Sequence, residues 1–234
     1  LAGLRMLGAA AVMGAAAALL RGGEPRVRAS LGELTLLGVI GVTVNQVCFL
    51  SGLARSTPTH AALLYALTPA FVHALAIARG DERAGLRRAA GIAAALGGAA
   101  LVITGRGGLA AGDTTRGDLL ILVGVVAWAI YSAGARRTVR ELGALRFTAI
   151  TLVAGAAAGL PIVAPALLRF EPAAIPAGAW AGLAFLILFT SVIAYALWTW
   201  ALRGLDASQV AIFANGQPVL TALLSHKLLG EPLT

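Results

Sequence analysis

Four side-chain amides interrupt apolar runs of this chain: Asn45 and Gln46 in GVTVNQVCFL, and Asn215 and Gln217 in AIFANGQPVL. An amide donates and accepts at once, so it can recognise neutral or zwitterionic polar groups, and in hydrocarbon it needs a partner or a water-filled cavity. Each of the four can equally be an interhelical hydrogen bond that glues a bundle together. Tyr65, Trp128, Tyr131, Tyr195 and Trp198, with Trp200 close by, add aromatic surface suited either to lining a binding cavity or to facing lipid. Pro69 and Pro218 fall near the middle of their apolar runs, and each withdraws a hydrogen bond from the carbonyl four residues earlier, at Tyr65 and Ala214. Such a carbonyl can bind a polar solute and such a kink can flex, so both prolines are hinge candidates, with a static kink as the competing explanation.

His73 follows Pro69 by four residues and Tyr65 by eight, which places all three on roughly one helical face and makes His73 the candidate for a proton-sensitive group. Packing near an interface is the plainer reading of His73, and still more so of His60. The ten acidic residues all lie in loops or at the ends of apolar runs, so no buried carboxylate is expected to bind a cation or relay a proton. With Cys48 as its one cysteine, the chain can form no internal disulfide and no cysteine-based metal site. No metal cluster, cofactor motif or catalytic constellation is expected.

The elements that must hold these groups follow from composition. Only 12% of the 234 residues are charged, against ~25% in soluble domains, and the mean hydropathy is +0.88. Runs such as LLILVGVVAWAIYSAGA carry no charge on any face, which excludes a water-facing helix. Since about 20 apolar residues cross a bilayer, the pattern predicts an all-α membrane protein with eight helices at about 2–20, 31–53, 59–78, 87–104, 118–135, 147–165, 179–201 and 207–228. The Gly-rich polar stretch TGRGGLAAGDTTRGD separates an N-terminal half, 1–105, from a C-terminal half, 118–234, with 106–117 as the linker.

A net charge of +8 would suggest nucleic acid in a soluble protein, but here the arginines cluster in short loops, so no nucleic-acid partner is expected. Counted on alternate sides of the spans, twelve basic residues fall on one side (Arg21, Arg26, Arg28, Arg79, Arg83, Arg87, Arg88, Arg136, Arg137, Arg140, Arg146 and Arg203). Five fall on the other (Arg55, Arg106, Arg116, Arg169 and Lys227), and Arg5 is left over near the first helix start. The twelve-residue side is expected to be cytoplasmic, in a multi-pass protein of the inner or plasma membrane whose visible ends both lie outside, with Trp180 as an interfacial anchor. Partners are then the bilayer and a small-molecule substrate. A small-residue ridge at Ala90, Ala94 and Gly98 suits close helix packing within the monomer, or, as a minority reading, a homodimer.

Laying Pro69 on Pro218 aligns GLARSTPTHAALLYALTPAFVHALAIARGDE with ALRGLDASQVAIFANGQPVLTALLSHKLLGE, matching Leu53 to Leu202 and Glu82 to Glu231. The crossing count makes the two proline helices run in opposite senses, so the halves are expected to be inverted repeats, the architecture in which a midplane site is exposed alternately. After Glu82 the first half continues for a full span, whereas the second stops shortly after Glu231, and nothing precedes Leu4 and Arg5 to match the span at 118–135. The expectation is a fragment lacking one helix at each end of a ten-span protein.

These residues carry a family resemblance. The LR element, GVTVNQVCFLSGLARSTPTHAALLYALTPAF, GDLLILVGVVAWAIYS and QPVLTALLSHKLLGEPLT resemble the EamA-type, ten-span branch of the drug/metabolite transporter superfamily over essentially the whole chain. The resemblance implies efflux or exchange of small metabolites or drug-like molecules through a cavity between the halves, and leaves the solute open. A non-transporting membrane scaffold is the alternative, predicting midplane amides that satisfy one another. A membrane-embedded enzyme is less favoured, because GxSxG, HExxH and paired buried carboxylates are all absent from the sequence.

Overall fold

The computed structural model describes residues 1–19, 30–83, 85–86, 90–94, 97–98, 113–172 and 175–216, and among them every regular element is helical. Among the described residues, six helices are long and apolar enough to cross a membrane. They are α1 (Ala2–Leu19), α2 (Leu31–Leu53), the span His60–Ala78, α5 (within Asp113–Leu142), α6 (Ala144–Leu168) and α7 (Ala177–Gly204). The His60–Ala78 span is built from α3 (Pro58–Tyr65) and α4 (Thr68–Ala78), and a short α8 (Ala207–Ile212) runs into a 3-10 turn at Phe213–Gly216. These match six of the eight expected spans. Of the fourth only pieces are described, residues 90–94 and 97–98 being helical, and the eighth is described as far as Gly216. Ala90, Ala94 and Gly98 are exposed.

The residues fall into two compact units, each drawing on both halves of the sequence. Unit 1 comprises 1–46 and 134–205, and unit 2 comprises 47–133 and 206–234. In unit 1, α6 is the hub, packed by α1, by α2 and by α7. Backbone meets backbone where α2 crosses α6: a Cβ on Gly38 would lie 2.5 Å from Thr151 O, and one on Gly155 would lie 2.5 Å from Gly38 O. In a lipid medium such small-residue approach replaces the hydrophobic drive that assembles soluble helices. Hydroxyls reinforce it, Thr43 donating to Gly155 O at 2.6 Å and Thr148 meeting Thr199 of α7 at 2.7 Å. On the outer flank of α7, Phe185, Phe189 and Trp200 are exposed, as lipid-facing aromatics should be. Trp180, near the start of α7, stands edge-on to Phe170 with ring centroids 6.0 Å apart.

Unit 2 is centred on Ala61, Leu64, Leu67, Ile121 and Val125, with Phe49 and Tyr65 packed against them. Gly52 and Gly117 repeat the close backbone approach there, a Cβ on Gly52 lying 2.6 Å from Gly117 O. Pro69 corrects the sequence expectation of an internal kink with an open carbonyl. The helix breaks at residues 66–67, Pro69 falls in the first turn of α4, where its missing N–H costs little, and Tyr65 O accepts from Thr68 Oγ1 at 2.6 Å.

Gly155→Leu should force α2 away from α6. Overpacking of this kind costs about 1–3 kcal/mol, so the thermal midpoint of the purified protein should fall by several degrees, whereas an unchanged midpoint would show that this seam is not tightly packed.

Candidate functional site

Two helices of unit 1 carry a widened, π-helical segment, Val39–Val44 in α2 and Leu186–Ile193 in α7, and both lie at the middle of their spans. A π segment disrupts the regular backbone ladder inside a helix and often marks a functional position. Here the disruption is used. Tyr195, just past the π segment of α7, donates its hydroxyl to Gly41 O within the π segment of α2 at 3.0 Å. The Gln46 side chain hydrogen-bonds the same tyrosine. Ser191, one turn before Tyr195, accepts from Arg5 Nε at 2.8 Å.

The result is a polar group of Arg5, Gln46, Ser191 and Tyr195 in the apolar middle of unit 1, with Asn45 and Thr43 buried on the same stretch of α2. Gln46 Oε1 is buried with no hydrogen-bond partner. An unsatisfied acceptor in hydrocarbon is costly, and such an atom can accept a hydrogen bond from a polar molecule. An arginine, a phenol and amides together can hold a small molecule bearing both an acceptor and a donor.

Of the residues expected from the sequence, the structure brings Gln46 and Tyr195 together and buries Asn45 on the same stretch of α2. Trp198 is half-buried further along α7. The sequence pattern assigns Arg5 to neither side of the membrane and does not single out Ser191. The signals were there: a single arginine inside LAGLRMLGAAAVM, and the adjacent hydroxyls Thr190 and Ser191 at the centre of LILFTSVIAYALW. Trp200 lies apart from this group, beside an open apolar groove of about 510 Å³ lined by Arg146, Ile193, Leu197 and Arg203, which includes neither Gln46 nor Ser191.

The other expected residues belong to unit 2. Phe49 and Tyr65 pack edge to face with centroids 5.1 Å apart, and Trp128 stacks on Tyr131 at 5.3 Å. Tyr131 is fully buried, so it is a core residue of the described fold. The side chain of Asn215 lies outside the described residues, as do Gln217 and Pro218.

Unit 2 also overturns the expectation that no carboxylate is buried. Asp118, one turn into α5, is 1% exposed and accepts from Ser56 Oγ and from His60, whose Nδ1 is 2.8 Å from Asp118 Oδ2. Glu82 has a side chain only 7% exposed and contacts His73 Nδ1 at 2.5 Å. Each stands at a span end by sequence, as expected, but folds into the protein. For Glu82 the agent is Gly80, whose φ of +74° ends α4 in a left-handed turn and lets Asp81 N and Glu82 N both donate to Ala76 O.

Tyr195→Phe removes the donor to Gly41 O while keeping the ring. A net loss of about 1 kcal/mol is expected, read as a lower thermal midpoint of the purified protein. Wild-type stability in that variant would mean the carbonyl finds another donor.

Comparison with known proteins agrees with this architecture. The model of the EamA-like transporter family matches residues 1–104 and 115–234. The uncharacterized transporter YyaM of Bacillus subtilis (strain 168) is 32% identical over 216 residues, covering 90% of this chain and 69% of the relative. An uncharacterized transporter of Archaeoglobus fulgidus is 26% identical over 205 residues, 85% of this chain and 68% of its own. The uncharacterized inner membrane transporter YedA of Escherichia coli (strain K12) is 27% identical over 242 residues, all of this chain and 74% of the relative. A solved crystal structure superposes with a TM-score of 0.72 at 22% identity, covering all of this chain and 81% of that one, a likeness of fold alone. These names point to a transporter rather than an enzyme. The chain is a multi-pass membrane protein and belongs to the EamA-like transporter family.

Proposed function

We propose that this protein carries a small metabolite or drug-like solute across the membrane, by efflux or exchange, through alternating access between two inverted halves. The supporting observation is the polar group of Arg5, Gln46, Ser191 and Tyr195, set beside two π-helical segments. A non-transporting scaffold would be expected to satisfy its midplane amides internally, whereas Gln46 Oε1 is left buried without a partner. In this reading Gln46 and Tyr195 hold the solute, and the break at residues 66–67 beside Pro69 supplies a flexible joint. Asn215, Gln217 and Pro218 are the corresponding groups of the other half. The arginine-rich side faces the cytoplasm.

The test is a solute screen by growth protection and uptake with the full-length protein, followed by Gln46→Ala and Tyr195→Phe on whatever solute moves. Each variant should slow transport about fivefold or more, the equivalent of one ~1 kcal/mol hydrogen bond, with unchanged protein in the membrane. Pro69→Ala should also slow transport without loss of protein. Wild-type rates in all three would sink the carrier site described above.

A further inference from the structure

The arginine-rich end of unit 1 frames a groove that the group around Tyr195 does not use. Its volume is about 510 Å³, and residues 142–145, at the turn from α5 to α6, form part of its lining. Gly143, with a φ of +80°, supplies the left-handed residue that lets α6 begin one residue after α5 ends. Another wall is α7, which presents Ile193, Leu197 and Trp200 at helical spacing, 42%, 59% and 64% exposed. A stripe this open on a membrane helix meets hydrocarbon.

Two guanidinium groups, of Arg146 on α6 and Arg203 on α7, line the same groove. Arg140 stands beside them, its Nε donating to Arg203 O at 3.2 Å and tying the end of α5 to the end of α7. Over residues 134–147 and 193–205 the sequence carries five arginines against one acidic residue, Glu141. Glu141 pairs with Arg137 at 3.5 Å, and the next acidic residue, Asp206, caps α8. One part of the groove is therefore positive and the rest apolar. A water-soluble anion has no use for the apolar stripe, and a neutral lipid has no use for the arginines.

We propose that this groove binds an acidic phospholipid of the surrounding bilayer. Its phosphate takes charge-assisted hydrogen bonds from Arg146 and Arg203, and the upper part of one acyl chain lies along Ile193 and Leu197. The Trp200 indole stands between the two, at the depth where an amphipathic ring is favoured. Basic recesses among membrane helices suit such headgroups, because the lipid brings its negative charge to the same level as the arginines. Since the lining is drawn from α1, α5, α6 and α7, a bound lipid braces four helices of unit 1 at their arginine-rich ends. The site needs no transported solute and stands or falls apart from the carrier reading.

The experiment titrates the full-length protein in detergent with dioleoyl phosphatidylglycerol or dioleoyl phosphatidylcholine and counts bound lipid by native mass spectrometry. The acidic lipid should bind about tenfold or more tightly than the neutral one, two arginines being worth about fivefold each. Arg146→Gln combined with Arg203→Gln should abolish that preference, whereas Arg169→Gln, at the opposite end of α6, should keep it. A second measurement needs no arginine variant to fold. In phosphatidylcholine vesicles holding a small fraction of chain-brominated lipid, the Trp200 emission is read as wild type minus Trp200→Phe. Brominated phosphatidylglycerol should quench it several-fold more than brominated phosphatidylcholine. Equal affinity for the two lipids, or a preference that survives the double variant, would overturn the proposal. So would displacement of phosphatidylglycerol by inorganic phosphate at equal concentration, the mark of a bare anion site. Equal quenching by the two brominated lipids, as when another segment of the chain fills the groove, would overturn it as well.

Discussion

Hydrocarbon offers no water to a carbonyl that has lost its place in the helical ladder, so irregular backbone at membrane depth survives only where protein supplies the missing donor. In unit 1 the Tyr195 hydroxyl donates to Gly41 O, and that bond ties the π segment of α2 to α7. The rest of the arrangement follows from this bond. Gln46 must lie within reach of the tyrosine, Ser191 comes one turn before it, and Arg5 is drawn from α1 to meet the serine. Close approach of the backbones at Gly38 and Gly155 brings α2 near enough to the hub for the set to assemble.

Unit 2 answers the same constraint differently. Its irregularity at residues 66–67 is closed locally, by Thr68 on the carbonyl of Tyr65, so no distant donor is needed. Its buried carboxylates sit toward helix ends and are held by hydrogen-bond contacts, Asp118 with His60 and Ser56, and Glu82 with His73 and Ser208. One unit therefore gathers its polarity at mid-depth around a backbone defect, and the other gathers it at the ends of its helices around carboxylates.

Helix positions were readable because hydropathy and length alone decide what can cross a bilayer, and six spans appear within a few residues of where the sequence places them. The midplane site was half readable. Amides in an apolar run advertise themselves, but a hydroxyl such as Ser191 is common in membrane helices and an arginine near a helix start looks like an anchor. Glu82 and Asp118 were hidden for a different reason. Linear position says that a residue follows a span, not that the chain turns back, and only the left-handed turn at Gly80 carries Glu82 inward. Pro69 misled for a related reason: a proline in the middle of an apolar run can equally sit in the first turn of a new helix, and periodicity does not distinguish the two.

The glycine seam between α2 and α6 has a mechanical corollary. Helices whose main chains touch cannot slide past one another without first separating, so this stretch behaves as a single stiff beam. The seam runs on into the widened turn at Val39–Val44, where a Cβ on Gly155 would meet Val42 at 2.6 Å and Thr43 donates to Gly155 O, so that turn belongs to the beam. The main chain that presents Gly41 to the tyrosine is thereby clamped from the other side, so that carbonyl is held at a fixed height and any flexing of the rod must fall elsewhere along it.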